Sequence, residues 1–289
     1  MTQRLLAIVP LLLAALLGTG CNNLIFPIWD EILYEEPPAE LGPYAWSEYR
    51  VDVPDGANGE PTAITVFEPE LAAATPAPSL FWVLGSNVRA YYHQSLHETL
   101  ASWGYVVVVS DGLPLTYGSR KYHRRTVDLV KQAMDLALAG EVTDEVPLDP
   151  ERMAIGGYSI GGPMAVFTAA ERPDAAAVVL WAPSGAPFWQ GLRPKRLYPE
   201  VSQDVLMLLG ELDRAAPPEG GFPDKLIDRM TAAGEIDKVV IDQGTHTQFQ
   251  QPVPDNEGDS GSSLTRFEQQ GIAITETRAY LDERFDVVR

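Results

Sequence analysis

The sequence predicts a doubly wound α/β domain: a mostly parallel, eight-stranded sheet with helices on both faces. Two observations carry that prediction. From Tyr44 onward short apolar runs alternate with stretches of helical period, the pattern of parallel strands joined by crossover helices. Several of the runs are apolar at every position, as strands covered on both faces must be. Size agrees, since 289 residues that are 45% hydrophobic can bury one large core in a single domain.

The strands are expected at residues 49–53, 63–67, 80–84, 105–109, 153–155, 176–181, 205–209 and 238–241. Between them Tyr92, Leu96, Leu100 and Trp103 share one helical face, and Val127, Val130, Met134 and Leu138 share another. Both faces are expected to pack on the sheet. A last helix carrying Phe267, Ile274, Leu281 and Phe285 would close the domain. The stretch 182–204, between the sixth and seventh strands, is too short for a cap domain, so an open cleft is expected.

The N-terminus reads as an address. Arg4 precedes thirteen residues of apolar character, 5–17, which suits the core of a signal peptide and falls short of the ~20 needed to cross a bilayer. Gly18-Thr19-Gly20 then leads to Cys21, the only cysteine, which excludes a disulfide within the chain. This junction resembles the lipobox of bacterial lipoproteins, although the leucine usual three residues before the cysteine is Gly18 here, with Leu17 one step earlier. The resemblance implies a signal peptide at 1–20, lipidation of Cys21, a tether over 21–43 containing Pro27, Pro37, Pro38 and Pro43, and a folded domain over 44–289. It also implies a place at the cell envelope, facing the periplasm or the surface, with membrane contact through lipid alone. Ordinary secretion, with Cys21 a bystander, is the alternative. With 21 basic against 40 acidic residues the formal charge is -19, which opposes nucleic acid as a partner.

The chemistry gathers around one stretch, Gly156 to Gly162, "GGYSIGG". Gly157-Tyr158-Ser159-Ile160-Gly161 matches GxSxG between a strand and a helix, the nucleophile elbow, where so tight a turn demands glycine two residues either side of the serine. A serine hydroxyl needs a base. Of the four histidines, His93, His97 and His123 fall in or before helical stretches and read as surface or packing residues. His246 follows the last strand, in the loop Asp242-Gln243-Gly244-Thr245-His246, and loops at strand carboxyl ends gather at the site edge of such sheets. The seventh strand leads into Gly210-Glu211-Leu212-Asp213, which favours Asp213 over Glu211, Asp242 and Asp204 as the orienting acid. The order Ser159, Asp213, His246 is that of the α/β-hydrolases.

Taken together, Val83-Leu84-Gly85-Ser86, the elbow, Gly210 to Asp213 and Gly244-Thr245-His246 resemble the α/β-hydrolases of the dienelactone-hydrolase type, and within that group bacterial cutinases and polyester hydrolases. Where those polyester hydrolases generally carry an aromatic residue and a tryptophan, this chain has Ser86 and Ser184. The resemblance implies a lipid-anchored serine esterase acting through an acyl-enzyme on small or polymeric carboxylic esters. The oxyanion would be held by the backbone N–H groups of Ile160 and Ser86. Phe188 and Trp189 are candidates for the wall of an acyl pocket or for packing alone. A catalytically feeble binding module and a serine peptidase on the same fold are the competing readings. No cofactor or metal is expected, the carboxylates of Asp255-Asn256-Glu257-Gly258-Asp259 reading as a solvated loop that lacks a full calcium ligand series. A monomer is expected.

Overall fold

The computed structural model describes residues 36–54, 62–72, 75–110, 120–185, 198–251 and 261–287, with the backbone alone at 120–122. Contacts divide the chain into two units, Met1–Pro37 and Pro38–Arg289. The leader, Cys21, most of the tether, Phe188, Trp189 and the acidic 255–259 stretch lie outside the described residues. Residues 38–43, read from the sequence as the end of the tether, belong to the second unit: Gly42 N donates to Ser102 Oγ at 2.8 Å and Trp103 Nε1 to the Glu40 carbonyl at 2.9 Å.

Among the described residues the second unit runs β1 (Trp46–Val53), β2 (Thr62–Pro69), β3 (Ala77–Val83), α1 (Gln94–Ser102), β4 (Val106–Val109), α2 (Arg120–Leu138), β5 (Leu148–Tyr158), α3 (Gly161–Glu171), β6 (Ala177–Trp181), β7 (Asp204–Gly210), α4 (Phe222–Ile227), β8 (Ile236–Ile241) and α5 (Arg266–Arg284). The eight strands form one sheet in the order β1-β2-β4-β3-β5-β6-β7-β8. β2 pairs antiparallel with β1 and β4, and every other pairing is parallel. This is the α/β-hydrolase fold, and all eight expected strands are present. β5 extends further toward the N-terminus than its apolar centre suggested, because its opening residues, Asp149 to Glu151, run half-exposed or exposed at the end of the strand and carry no apolar signal.

Alternation along the strands explains the two layers. Phe81, Val83, Val106, Val108, Ile155, Val178, Val205 and Met207 face the core under α2 and α3, whereas Leu80, Trp82, Val107, Val109, Ala154, Val179, Leu206 and Leu208 face the core under α1 and α5. Neighbouring strand residues point to opposite faces, so a strand buried on both must be apolar throughout. Trp82 and Trp181, both essentially inaccessible, meet edge to face at 5.3 Å between ring centroids. Truncating either to alanine would cost about 3–5 kcal/mol.

Two helical-face assignments need correction. Leu138, at the last residue of α2, is 40% exposed, and Phe267, in the first turn of α5, is 38% exposed. In each case the helical period continues past the point where the helix has left the sheet. α5 starts where it does because Thr265 closes a capping box, its hydroxyl accepting from Glu268 N while the Glu268 carboxylate accepts from Thr265 N at 2.8 Å. None of the helices among the described residues is long and apolar enough to cross a membrane.

Candidate active site

Ser159 sits at the turn from β5 into α3 with φ of 53°, a left-handed conformation rare for any residue but glycine. The turn is pinned from three sides: Ser159 N donates to the Trp181 carbonyl at 2.9 Å, and the Ser159 carbonyl accepts from Gly162 N at 3.1 Å and Ser184 N at 3.0 Å. The glycines are sterically required. A Cβ on Gly157 would stand 2.5 Å from the Gly161 carbonyl oxygen, and one on Gly161 would collide with the Val83 and Leu84 carbonyls. Gly162 lies against Pro183, so α3 begins close to the end of β6.

β7 and β8 supply the other two groups. Gly210 and Gly244 abut so closely that a Cβ on the first would stand 2.5 Å from the second's carbonyl, and the two loops are stitched by Glu211 N to Ile241 O at 3.0 Å and Leu212 N to Gly244 O at 2.8 Å. Asp213, its side chain fully buried, turns one carboxylate oxygen to Ala215 N and Ala216 N at 2.8 and 2.7 Å. The other stands 2.7 Å from His246 Nδ1, and His246 Nε2 stands 3.0 Å from Ser159 Oγ. The structure therefore brings Ser159, His246 and Asp213 into one hydrogen-bonded row. Of the competing carboxylates, Glu211 accepts from Gln243 N, Asp204 accepts from Glu235 N and pairs with Arg284, and Asp242 is exposed.

Three supporting residues carry no motif in the sequence. Gln269, buried in α5, clasps the histidine loop with its amide at both ends of Thr245, accepting from the N–H and donating to the carbonyl, each at 2.8 Å. Tyr158, the residue before the nucleophile, donates its hydroxyl to the His246 carbonyl at 3.0 Å. Ser184 presents its hydroxyl 3.0 Å from Ser159 Oγ. Nothing in the sequence marks Gln269, a polar residue that only the packing of α5 shows to be buried.

Beside the serine, Gly85 lies against Tyr158 and the Ser159 Cβ, and the chain turns at Asn87, φ 57°. Among the described residues neither Ile160 N nor Ser86 N has an acceptor, and the Ser86 hydroxyl is buried without a partner. The remaining histidines are packing residues: His93, His97 and His123 are all buried, with His93 accepting from Trp82 Nε1 at 3.1 Å. Burial drives the His93 imidazole down to about 3 and holds His97 well below its ordinary 6.5, helped by the nearby His93. Among the described residues no cluster of three or more histidine, cysteine, aspartate or glutamate side chains is arranged to hold a metal.

Comparison with known proteins identifies the family. Residues 83–250, more than half of the chain, match the model of the dienelactone hydrolase family, a stretch that runs from the end of β3 past His246. The chain belongs to the dienelactone hydrolase family. As a dienelactone hydrolase relative it is built on the α/β-hydrolase fold. Among solved structures it resembles the acylaminoacyl peptidase of Pyrococcus horikoshii, with a TM-score of 0.63 at 13% identity, over 84% of this chain and 42% of that one. The likeness concerns the fold, and the chain spans less than half of that peptidase. None of the curated proteins matches this dienelactone hydrolase family member in sequence.

Proposed function

We propose that the chain is a carboxylic ester hydrolase that works through an acyl-enzyme on Ser159, held at the cell envelope by lipid on Cys21. The observation that carries the chemistry is the unbroken row from Asp213 through His246 to Ser159, at 2.7 and 3.0 Å. His246 Nε2 takes the Ser159 proton as Oγ attacks the ester carbonyl, then returns it to the leaving alcohol. Asp213 fixes the imidazole with Nδ1 protonated and stabilises the imidazolium that forms. The N–H groups of Ile160 and Ser86, which have no acceptor among the described residues, hold the oxyanion, each such donor being worth about 3 kcal/mol in the transition state. Water then repeats the cycle on the acyl-enzyme. The same row cuts amides in peptidases, so the substrate class is decided by experiment.

A fluorophosphonate probe tests the nucleophile. Stoichiometric labelling of the full chain, lost in Ser159→Ala, is expected, and folded protein that takes no label would reduce the chain to a binding module. A panel of acyl esters graded by chain length, run beside a polyester film and a matched acyl-peptide amide, tests the substrate class, and preference for the amide would replace the esterase reading by a peptidase. The anchor predicts a mature N-terminus at Cys21 carrying acyl chains, absent in Cys21→Ala and readable by mass spectrometry of protein expressed in a bacterial host.

A further inference from the structure

The contact between Ser184 and Ser159 has a direction that its neighbours fix. Asp213 faces amide donors with one oxygen and His246 Nδ1 with the other, so its carboxylate only accepts and Nδ1 carries the ring proton. His246 Nε2 is then an acceptor, filled by the Ser159 hydroxyl at 3.0 Å. With its one proton committed, Ser159 Oγ can only accept from Ser184 Oγ, 3.0 Å away. The arrangement is built into the backbone. Ser184 is buried, its N–H donates to the Ser159 carbonyl at 3.0 Å, and the chain reaches it through a left-handed Ala182, φ 43°, whose own N–H is tied to Leu208 O at 2.8 Å. Ser159 and Ala182 are both non-glycine residues in left-handed conformation, the kind of strain that persists where surrounding structure enforces it.

Resting on the esterase reading above, we propose that Ser184 is a further catalytic residue, a hydrogen-bond donor to Ser159 Oγ that assists release of the acyl group more than its capture. In deacylation His246 takes a proton from water as the hydroxyl oxygen adds to the acyl carbon. The C–Oγ bond then breaks, its electron pair passes to Oγ, and the imidazolium proton moves from Nε2 to Oγ, freeing the carboxylic acid and the serine. Negative charge grows on Oγ as that bond breaks, and the Ser184 hydroxyl points at it. The assistance is unequal between the two half-reactions because only interactions that strengthen toward a transition state accelerate the step. In free enzyme the Ser159 hydroxyl already accepts the Ser184 hydrogen bond, so start and transition state of acylation gain alike. In the acyl-enzyme Oγ is an ester oxygen and a weak acceptor, so the bond gains strength chiefly as the intermediate collapses.

Burst kinetics on the full chain with p-nitrophenyl acetate, with the acyl-enzyme counted by intact mass, test this. For Ser184→Ala the burst rate and kcat/KM should stay within about threefold of wild type, while kcat and KM fall together by about tenfold and acetylated Ser159 accumulates. Ser184→Cys, whose thiol is a weaker donor of similar size, should fall between the two. Should the Ala variant fail to fold or to take a fluorophosphonate label, the Cys variant decides by the same split. A drop in kcat/KM as large as that in kcat, or no change in either, overturns the assignment. Wild-type protein that neither takes the label nor forms an acyl-enzyme overturns the esterase reading itself.

Discussion

Replacing Asp213 by asparagine should reverse the polarity of the whole row while leaving its shape intact. One carboxylate oxygen accepts from Ala215 N and Ala216 N at 2.8 and 2.7 Å, and only an oxygen can sit there. The asparagine carbonyl is therefore held in that place and its NH2 takes the position 2.7 Å from His246 Nδ1. An NH2 donates, so Nδ1 must become the acceptor and the ring proton moves to Nε2, where it points at Ser159 Oγ. The imidazole then cannot take the serine proton. In the well-studied case of this substitution in a serine protease the loss is about 10⁴-fold in kcat, equal to about 5.5 kcal/mol of barrier. Stability should change by only about 1 kcal/mol, since both amide bonds survive. Initial rates on a short p-nitrophenyl ester, read beside thermal melting, give both quantities. Asp213→Ala is the contrast: it strands the buried Ala216 N–H and takes the acceptor from Ala215 N, and should lower the melting temperature as well as the rate. An Asp213→Asn variant that keeps its fold and works within tenfold of wild type would refute the argument that Asp213 sets the tautomer.

Other perturbations reach the elbow, the far edge of the sheet and the packing beneath the site. Gly157→Ala must push the elbow apart, because its Cβ would fall 2.5 Å from the Gly161 carbonyl; activity should drop at least about a hundredfold, measured as ester hydrolysis per mole of folded protein. Glu68, buried on β2, accepts from the N–H groups of Asp144, Glu145 and Val146 at 2.9, 2.9 and 2.7 Å and from the Tyr49 hydroxyl, so Glu68→Gln, left with one acceptor oxygen, should lose about 2–3 kcal/mol by urea unfolding. Burial alone would raise the Glu68 carboxyl, but those donors outweigh it and leave it below its ordinary 4.5; its stabilisation is thus complete above that value and lost as pH falls through the lower folded one, and acid melting curves of the Gln variant should be flatter there. His97, whose two ring nitrogens have no partner among the described residues, stays neutral in the fold while the unfolded chain takes up a proton below 6.5. Stability should therefore decline as pH drops below that point, by up to about 1.4 kcal/mol per pH unit for each such histidine, and His97→Leu should remove one share of the slope in melts between pH 6.5 and 4.5.

The parts of this molecule legible in its sequence are those in which one local rule decides. A strand buried on both faces has no choice but to be apolar, so β3, β4, β6 and β7 announce themselves. Elements that leave the core do not: the start of β5 is polar, and the helical period of α2 runs on to Leu138 after the sheet has ended. The same distinction holds at the site. Ser159 is visible because the elbow needs glycines at 157 and 161, and Asp213 and His246 are visible because each follows a strand and a glycine, Gly210 and Gly244, that lets the two loops meet.

In the sequence Ser184 stands out only as a departure from relatives, and the reason is physical. Its approach to Ser159 depends on a left-handed residue at 182, and that residue is alanine, where glycine or asparagine would have flagged the turn. The conformation is imposed from outside, by the tie of Ala182 N to Leu208 O on the neighbouring strand and of Ser184 N to the Ser159 carbonyl. Two left-handed residues, each costing on the order of 1–3 kcal/mol, face one another across the end of β5 and β6 and are held there by an interior of fully buried strands. Strain of that kind cannot be read from residue types, because it belongs to the contact between two segments rather than to either one. The sequence specified the nucleophile through its own glycines, while the group that touches it is specified by the sheet that carries both.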